Sequence, residues 1–186
     1  MNLILASTSP RRIEILNLLQ IPFEVVSPRY EEEILPDATG FEETLRFAQE
    51  KAHSIASLYP NHLILASDTL IEFEGEKIGK PKDPKEAFEI LKKLRGSTHD
   101  VISGVYLYNT QNLNFYRHVE ITQINMRYYS ENEIENYIET RESLDKAGAY
   151  ALQGEGRKLI ESLSGDYLSA VGLPLRWVAN VLMKES

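Results

Sequence analysis

LILASDTLIEFEGEKIGKPKD, residues 63–83, is the stretch on which the fold turns. Its apolar run Leu63-Ile64-Leu65-Ala66 breaks at Ser67-Asp68-Thr69 and resumes at Leu70-Ile71. It then turns at Glu74-Gly75 and ends in Ile78-Gly79-Lys80-Pro81. A short run this apolar, bounded by polar residues, Gly and Pro, predicts a buried strand followed by a hairpin. An ionised carboxylate partway along such a strand is costly unless something offsets it. Asp68 therefore needs water, a cation or a substrate beside it. Lys80, just past the hairpin, offers one positive charge, and a partly solvated Asp68–Lys80 pair at a strand end is the plainest expectation.

The same pentapeptide, LILAS, stands at Leu3–Ser7. The flanks differ, so this is not a repeat. It predicts two central strands that each stop at Ser and release the chain into a polar loop. After Ser7 the loop is Thr8-Ser9-Pro10-Arg11-Arg12, with Ser9 placed as an N-cap and Pro10 as the first helical residue. Ile13, Leu16 and Leu19, with Ile15 and Leu18, give that helix a broad apolar face. A strand feeding a helix N-terminus presents free backbone N–H groups and the positive dipole end, a ready anion site. Arg11 and Arg12 are unfavourable there without an anion to offset them, which points to phosphate.

Composition narrows the classes. At 186 residues the chain suits one domain, 1–186, able to bury a core unaided. It has no cysteine, which excludes disulfides and thiolate metal sites and fits a reducing compartment. MNLILASTSPRR is neither a signal peptide nor a membrane span, so a cytoplasmic location is expected and no membrane partner. A net charge of -8 argues against broad nucleic-acid binding but leaves room for a small anionic ligand.

Further along, Phe23–Ser27 reads as a strand leading to the acidic run Glu31-Glu32-Glu33, where a divalent metal can use a carboxylate. Thr39-x-x-Glu42 opens a helix to about Tyr59, packed through Leu45, Ala48, Ala52 and Ile55, with Lys51 beside that stripe. Asp83-Pro84 opens the next helix, which Gly96 ends. His99–Tyr108 and Phe115–Met126 form a long hairpin, and Ser130-x-x-Glu133 opens another helix. In Asp145–Gly154 small residues allow close backbone approach, and Gln153 offers both donor and acceptor. Leu159–Leu163 and Tyr167–Val171 read as short strands around a turn, and Pro174 starts a last helix packed by Leu175, Val178 and Leu182.

The loop residues together form a set suited to a polyphosphate and a divalent cation: Ser7, Ser9, Arg11 and Arg12, the lysines 51, 80 and 146, the carboxylates Glu32 and Asp68, and Gln153. Mg²⁺ takes one or two carboxylates along with substrate phosphates, and fixed cations offset charge on a phosphate leaving group. No Walker-type loop occurs, and the four histidines lack zinc-ligand spacing.

The ordered segments LILASTSPRR (3–12), EKA (50–52), ASDT (66–69), GKP (79–81), GSTHDVISGV (96–105), DKAGAYALQG (145–154) and GDYLSAVGLPL (165–175) resemble the Maf family of nucleoside triphosphate pyrophosphatases nearly end to end. The resemblance implies an α/β fold like that of inosine triphosphate pyrophosphatases: one domain of two lobes, a curved mixed sheet flanked by helices, and a central cleft. It implies cleavage of a nucleoside triphosphate to monophosphate and pyrophosphate with a divalent metal, Mg²⁺ or Mn²⁺. Asp68 becomes the catalytic carboxylate, as general base, metal ligand or both. Ser7, Arg12, Lys51 and Lys80 hold phosphate, and Glu32 serves the metal with Asp68, its neighbours Glu31 and Glu33 being alternatives. The specificity positions fall on Arg11, Thr69 and Gln153, the combination of the branch acting on dTTP and UTP, whether normal or modified pyrimidines. Ser67 departs from a common Gly, and Ala151-Leu152 from a usual Gly-Ile. The family also implies a homodimer. The competing function is a nucleotide-sensing regulator of cell division, in which binding rather than turnover matters.

Overall fold

The two LILAS words lie side by side. In the computed structural model, which describes residues 2–31, 33, 35 and 37–185, β1 (Asn2–Ala6) and β3 (His62–Phe73) are parallel neighbours. Leu3 faces Leu63, Ile4 faces Ile64 and Leu5 faces Leu65. Identical words in matched register meet the same surroundings on both faces, as strands buried on both sides require.

The remaining elements follow in chain order. They are α1 (Pro10–Asn17), β2 (Phe23–Val26), α2 (Gly40–Ala56), β4 (Glu76–Ile78), α3 (Pro84–Leu94), β5 (Thr98–Asn109), β6 (Phe115–Met126), α4 (Glu131–Glu139), β7 (Ile160–Ser164), α5 (Tyr167–Val171) and α6 (Leu175–Glu185). Two short 3₁₀ segments, Ala147–Ala149 and Gly154–Leu159, precede β7. The seven strands make a mixed sheet in the order β2-β1-β3-β5-β6-β7, with β4 antiparallel to β3. Among the described residues no helix is long and apolar enough to cross a membrane.

Two compact units divide the chain. The first comprises Met1–Thr69, Ile102–Glu120 and Leu168–Ser186; the second comprises Leu70–Val101 and Ile121–Tyr167. In the first unit the even-numbered residues Ile4, Ala6, Ile64 and Ala66 pack against Ala48, Ala52 and Ile55 of α2. The capping box at Thr39 fixes where α2 starts: Thr39 accepts the Glu42 N–H, and Glu42 accepts the Thr39 N–H. Phe47, rather than Leu45, joins Ile55 as a large apolar residue that α2 buries. At Gly104 of β5 the α2 main chain comes so close that a Cβ would sit 2.5 Å from the Thr44 carbonyl carbon and 2.7 Å from Leu45 N.

In the second unit Tyr129 is fully buried and its hydroxyl donates to the Leu91 carbonyl at 2.8 Å. His99 Nε2 lies 2.7 Å from the Tyr150 hydroxyl, while His99 Nδ1 has no partner among the described residues. Burial drops the His99 pKa to about 4 from its ordinary 6.5. The imidazole is thus neutral in the fold and takes up a proton on unfolding at any pH between those values. Its contribution is complete above pH 6.5 and disappears as pH falls towards 4, about 3 kcal/mol in all. Melting curves from pH 7 to 4 should therefore fall more steeply for the native protein than for His99→Gln, which can keep the Tyr150 bond. Parallel curves would show that His99 does not carry this acid sensitivity.

Three further sequence expectations about the elements fail. β3 does not stop at Ser67: its ladder runs on to Phe73, because Asp68 is paired within the fold and no loop is needed to solvate it. Tyr167–Val171 is a helix, not a strand; the N–H groups of Gly172 and Leu173 turn back to the Leu168 carbonyl at 3.0 and 3.1 Å. In α6 the inward residue after Val178 is Val181, with Leu182 only half-buried.

Candidate functional site

At the end of β1 the chain turns on Ser7, which is almost fully buried. Its N–H donates to the Leu5 carbonyl at 2.9 Å, and its Oγ accepts the Ser9 N–H at 3.2 Å. Pro10 opens α1 as expected. Ser9 occupies the N-cap in extended conformation, yet its side chain makes no capping bond. The first turn of α1 holds no acidic residue, only Arg11 and Arg12, so its exposed N–H groups and its cations share one end of the helix.

Arg12 is fixed from several directions. Nε donates to the Gly172 carbonyl at 3.0 Å, and Nη1 and Nη2 reach Ser7 Oγ at 3.4 Å and Thr69 Oγ1 at 3.5 Å. The last two are long and weak. Thr69 Oγ1 is 2.8 Å from Ser103 Oγ, which itself donates to the Ser169 carbonyl at 2.7 Å. Ser103 has one hydroxyl proton, so Thr69 must donate to it. The lone pairs of Thr69 are then turned towards the guanidinium.

Asp68, 6% exposed, is paired with Lys51, 7% exposed, at 2.6 Å. The expected partner was Lys80; the observed one comes from α2. Lys51 sits one turn after Phe47 and Ala48 and one turn before Ile55, all buried. Its stem therefore lies in the core, and its ammonium reaches the sheet rather than solvent. Successive residues of a strand point to opposite faces. Asp68 follows Ile64 and Ala66 onto the α2 face. Ser67 and Thr69 turn to the other face, where Ser67 Oγ lies 2.8 and 3.0 Å from the carbonyls of Gly104 and Gly172. One strand thus carries an ion pair on one side and the Arg12 hydroxyl group set on the other.

The first unit brings together Ser7, Arg12 and Thr69, and separately Lys51 and Asp68, with Arg11 half-buried at the head of α1. A hollow of about 620 Å³ lined by Phe41, Leu45, Arg46, Gln49, Arg117 and Val119 includes none of them. In the second unit Lys80 is exposed after β4, Lys146 pairs with Asp145 at 2.5 Å, and Gln153 is exposed just before the second 3₁₀ segment. Glu32 lies outside the described residues. Its neighbours Glu31 and Glu33 are exposed, and the Glu33 carbonyl accepts Arg46 Nη2 at 2.5 Å. Among the described residues no three His, Asp or Glu side chains gather into a metal site.

Ser103 and the Gly172 carbonyl escaped the sequence reading. Ser103 had a signal: a hydroxyl inside the apolar run VISGVYL needs a buried partner. Nothing local marks Gly172 as an acceptor.

Comparison with known proteins places the chain. A family model described as Maf-like protein matches residues 2–185. The dTTP/UTP pyrophosphatase of Dictyoglomus turgidum is 44% identical over 174 residues, covering 93% of this chain and 90% of that one. The dTTP/UTP pyrophosphatase of Clostridioides difficile is 39% identical over 184 residues, covering 99% and 95%. Among solved structures, the Ham1 protein of Staphylococcus aureus superposes with a TM-score of 0.57 at 15% identity, each chain covered in full. A HAM1 protein from Coxiella burnetii gives 0.54 at 14%, with 99% of each chain covered. The structures speak for the fold alone, whereas the sequence matches run through every segment described above. The chain belongs to the family of Maf-like proteins.

Proposed function

We propose that the protein hydrolyses dTTP and UTP, and pyrimidine nucleotides related to them, to the monophosphate and pyrophosphate. The observation that carries the reading is the Asp68–Lys51 pair: a carboxylate held 2.6 Å from an ammonium inside a central strand, next to the Thr69 that meets Arg12. Relatives matching over nearly the whole chain bear the name dTTP/UTP pyrophosphatase, and a regulator that only senses nucleotides gains no support from them.

In this reading Ser7, Arg12, Lys51 and Lys80 bind the phosphates, and the N–H groups heading α1 add a positive end. Arg12 is already oriented by Gly172, so little side-chain freedom is lost on binding. Substrate phosphate competes with Asp68 for the Lys51 ammonium, which couples binding to the release of that carboxylate. Asp68 then takes the proton of the water attacking the α-phosphorus, holds the cation, or does both. The donors are hard oxygens with no thiolate, and they suit Mg²⁺ or Mn²⁺ held by Asp68, by a carboxylate of the run 31–33 and by the phosphates. Such a cation supplies charge neutralisation at the leaving group. Gln153, Thr69 and Arg11 select the base. A cytoplasmic place of action fits a chain without cysteine, and a homodimer accompanies this reading on the family resemblance.

Incubating dTTP with the protein and Mg²⁺ and resolving the products should give dTMP and pyrophosphate in equal amounts from the earliest time point. Orthophosphate as the sole initial product would sink the reading.

A further inference from the structure

We propose that Glu142 is a positioning residue for base selection: it caps the Gly154–Leu159 3₁₀ segment in place of Gln153 and so leaves the Gln153 amide to the substrate. The inference rests on the reading of Gln153 given above and lies wholly within the second unit.

Gln153 occupies the N-cap of that segment in extended conformation and makes no side-chain cap bond. An N-cap is ordinarily Ser, Thr, Asp or Asn, whose short side chain reaches back to the N–H groups of the first turn. A Gln there leaves the first-turn donors to be satisfied by something else. Glu142 satisfies them: Oε1 accepts the Glu155 N–H and Oε2 the Gly156 N–H, both at 3.2 Å. A carboxylate taking two main-chain N–H groups at a helical N-terminus is favoured by charge as well as geometry.

Gly154 leaves the room that this carboxylate occupies. Its φ is +66°, and a Cβ there would lie 2.5 Å from Glu142 Oε1 and 3.0 Å from Oε2. A side chain at 154 would force the Glu142 carboxylate to shift. Glu142 is delivered by the turn that ends α4, where Arg141 adopts φ 64° and the Glu142 N–H donates to Thr140 Oγ1 at 3.3 Å.

The preceding residues are fastened as firmly. The Ala151 N–H donates to the Tyr137 hydroxyl at 3.1 Å, and the Tyr150 hydroxyl meets His99. Gly156 closes against this anchor, since a Cβ there would be 2.4 Å from the Ala151 carbonyl. Residues 150–156 are thus tied at four main-chain or side-chain points, and the exposed Gln153 stands between them. A residue that reads a base needs its backbone held still and its own polar atoms uncommitted. Glu142 provides the second condition and part of the first.

The test compares the native protein, Glu142→Gln, Gln153→Ala and the double variant for kcat and KM on dTTP and ATP. A carboxamide at 142 keeps the shape but turns an NH₂ towards one of the two N–H groups. Glu142→Gln should lower the ratio of dTTP to ATP kcat/KM about tenfold, mostly through the KM for dTTP. The double variant should be no less selective than Gln153→Ala alone, because both changes break one device. Amide exchange at Glu155 and Gly156 should quicken in Glu142→Gln with the overall melting temperature little changed. An equal loss on both nucleotides, or an unchanged ratio, overturns the inference, as does unchanged exchange at those two amides. Should Gln153→Ala itself leave the ratio intact, the assignment of Gln153 to the base fails, and the role of Glu142 fails with it.

Discussion

Asp68→Asn is expected to turn over substrate at least about a hundredfold more slowly while still binding it. The carboxamide keeps the shape but removes the negative charge and the proton acceptor. Loss of a general base costs about 10²–10⁴ in rate, roughly 3–5 kcal/mol, and loss of a metal ligand adds to it. Affinity should change far less, since Arg12 and Lys51 remain and a repelling charge is gone. The structure adds a second expectation. The substitution takes the Asp68 carboxylate away from the Lys51 ammonium, whose side chain is only 8% exposed, until phosphate arrives to replace it. The variant should therefore melt lower than the native protein when empty and gain more from dTTP. Calorimetric binding, pyrophosphate release and melting with and without dTTP, all on one preparation, decide the matter. Near-native turnover would remove Asp68 from the mechanism. If the inactive variant restored the phenotype of a deletion strain, binding rather than hydrolysis would be the function.

Lys51→Met is expected to cost about 3–5 kcal/mol of stability, the usual penalty for removing one partner of a buried ion pair. Both side chains are about 8% exposed, so solvent cannot screen what remains. Lys51→Met combined with Asp68→Leu removes both charges, and a pair replaced by apolar groups is often neutral or better. The double variant should thus be more stable than Lys51→Met, though inactive. Urea unfolding of the native protein and the two variants measures this directly. A single variant within about 1 kcal/mol of native would show that Asp68 has another adequate counter-charge.

Much of this was legible because local chemistry repeats. The two LILAS words announced two central strands; that they are neighbours in matched register is seen only in the sheet. Capping at Thr39 and Asp83, Pro10 at a helix start and Gly75 in a hairpin turn all read correctly, since each depends on neighbours in sequence. The partner of Asp68 did not. Lys80 is nearer along the chain, but only the packing of α2 on Ile64 and Ala66 reveals that Lys51 shares their face. The same packing explains why β3 continues through Asp68. Tyr167–Val171 misled because aromatic and β-branched residues suggest a strand, whereas the chain closes locally, with the Gly172 and Leu173 N–H groups returning to the Leu168 carbonyl. Glu142 carries no local signal at all. It acts thirteen and fourteen residues away, on main-chain groups whose identity a sequence does not display.

The contact at Gly104 bears on how this protein can change over generations. Ala48, Ala52 and Ile55 of α2 meet the sheet through side chains, and a lost methyl at one such position can be made good by a gain at another. At Gly104 main chain meets main chain, and no trade is available. Thr44, the residue touched there, lies two turns before Lys51, about 10 Å along the helix. The close approach at that point limits how near the helix can come to the sheet, and the ammonium inherits the limit. Core residues such as Ala48 and Ile55 can drift within their volumes without moving the charge. Gly104 serves as the fixed datum against which they drift.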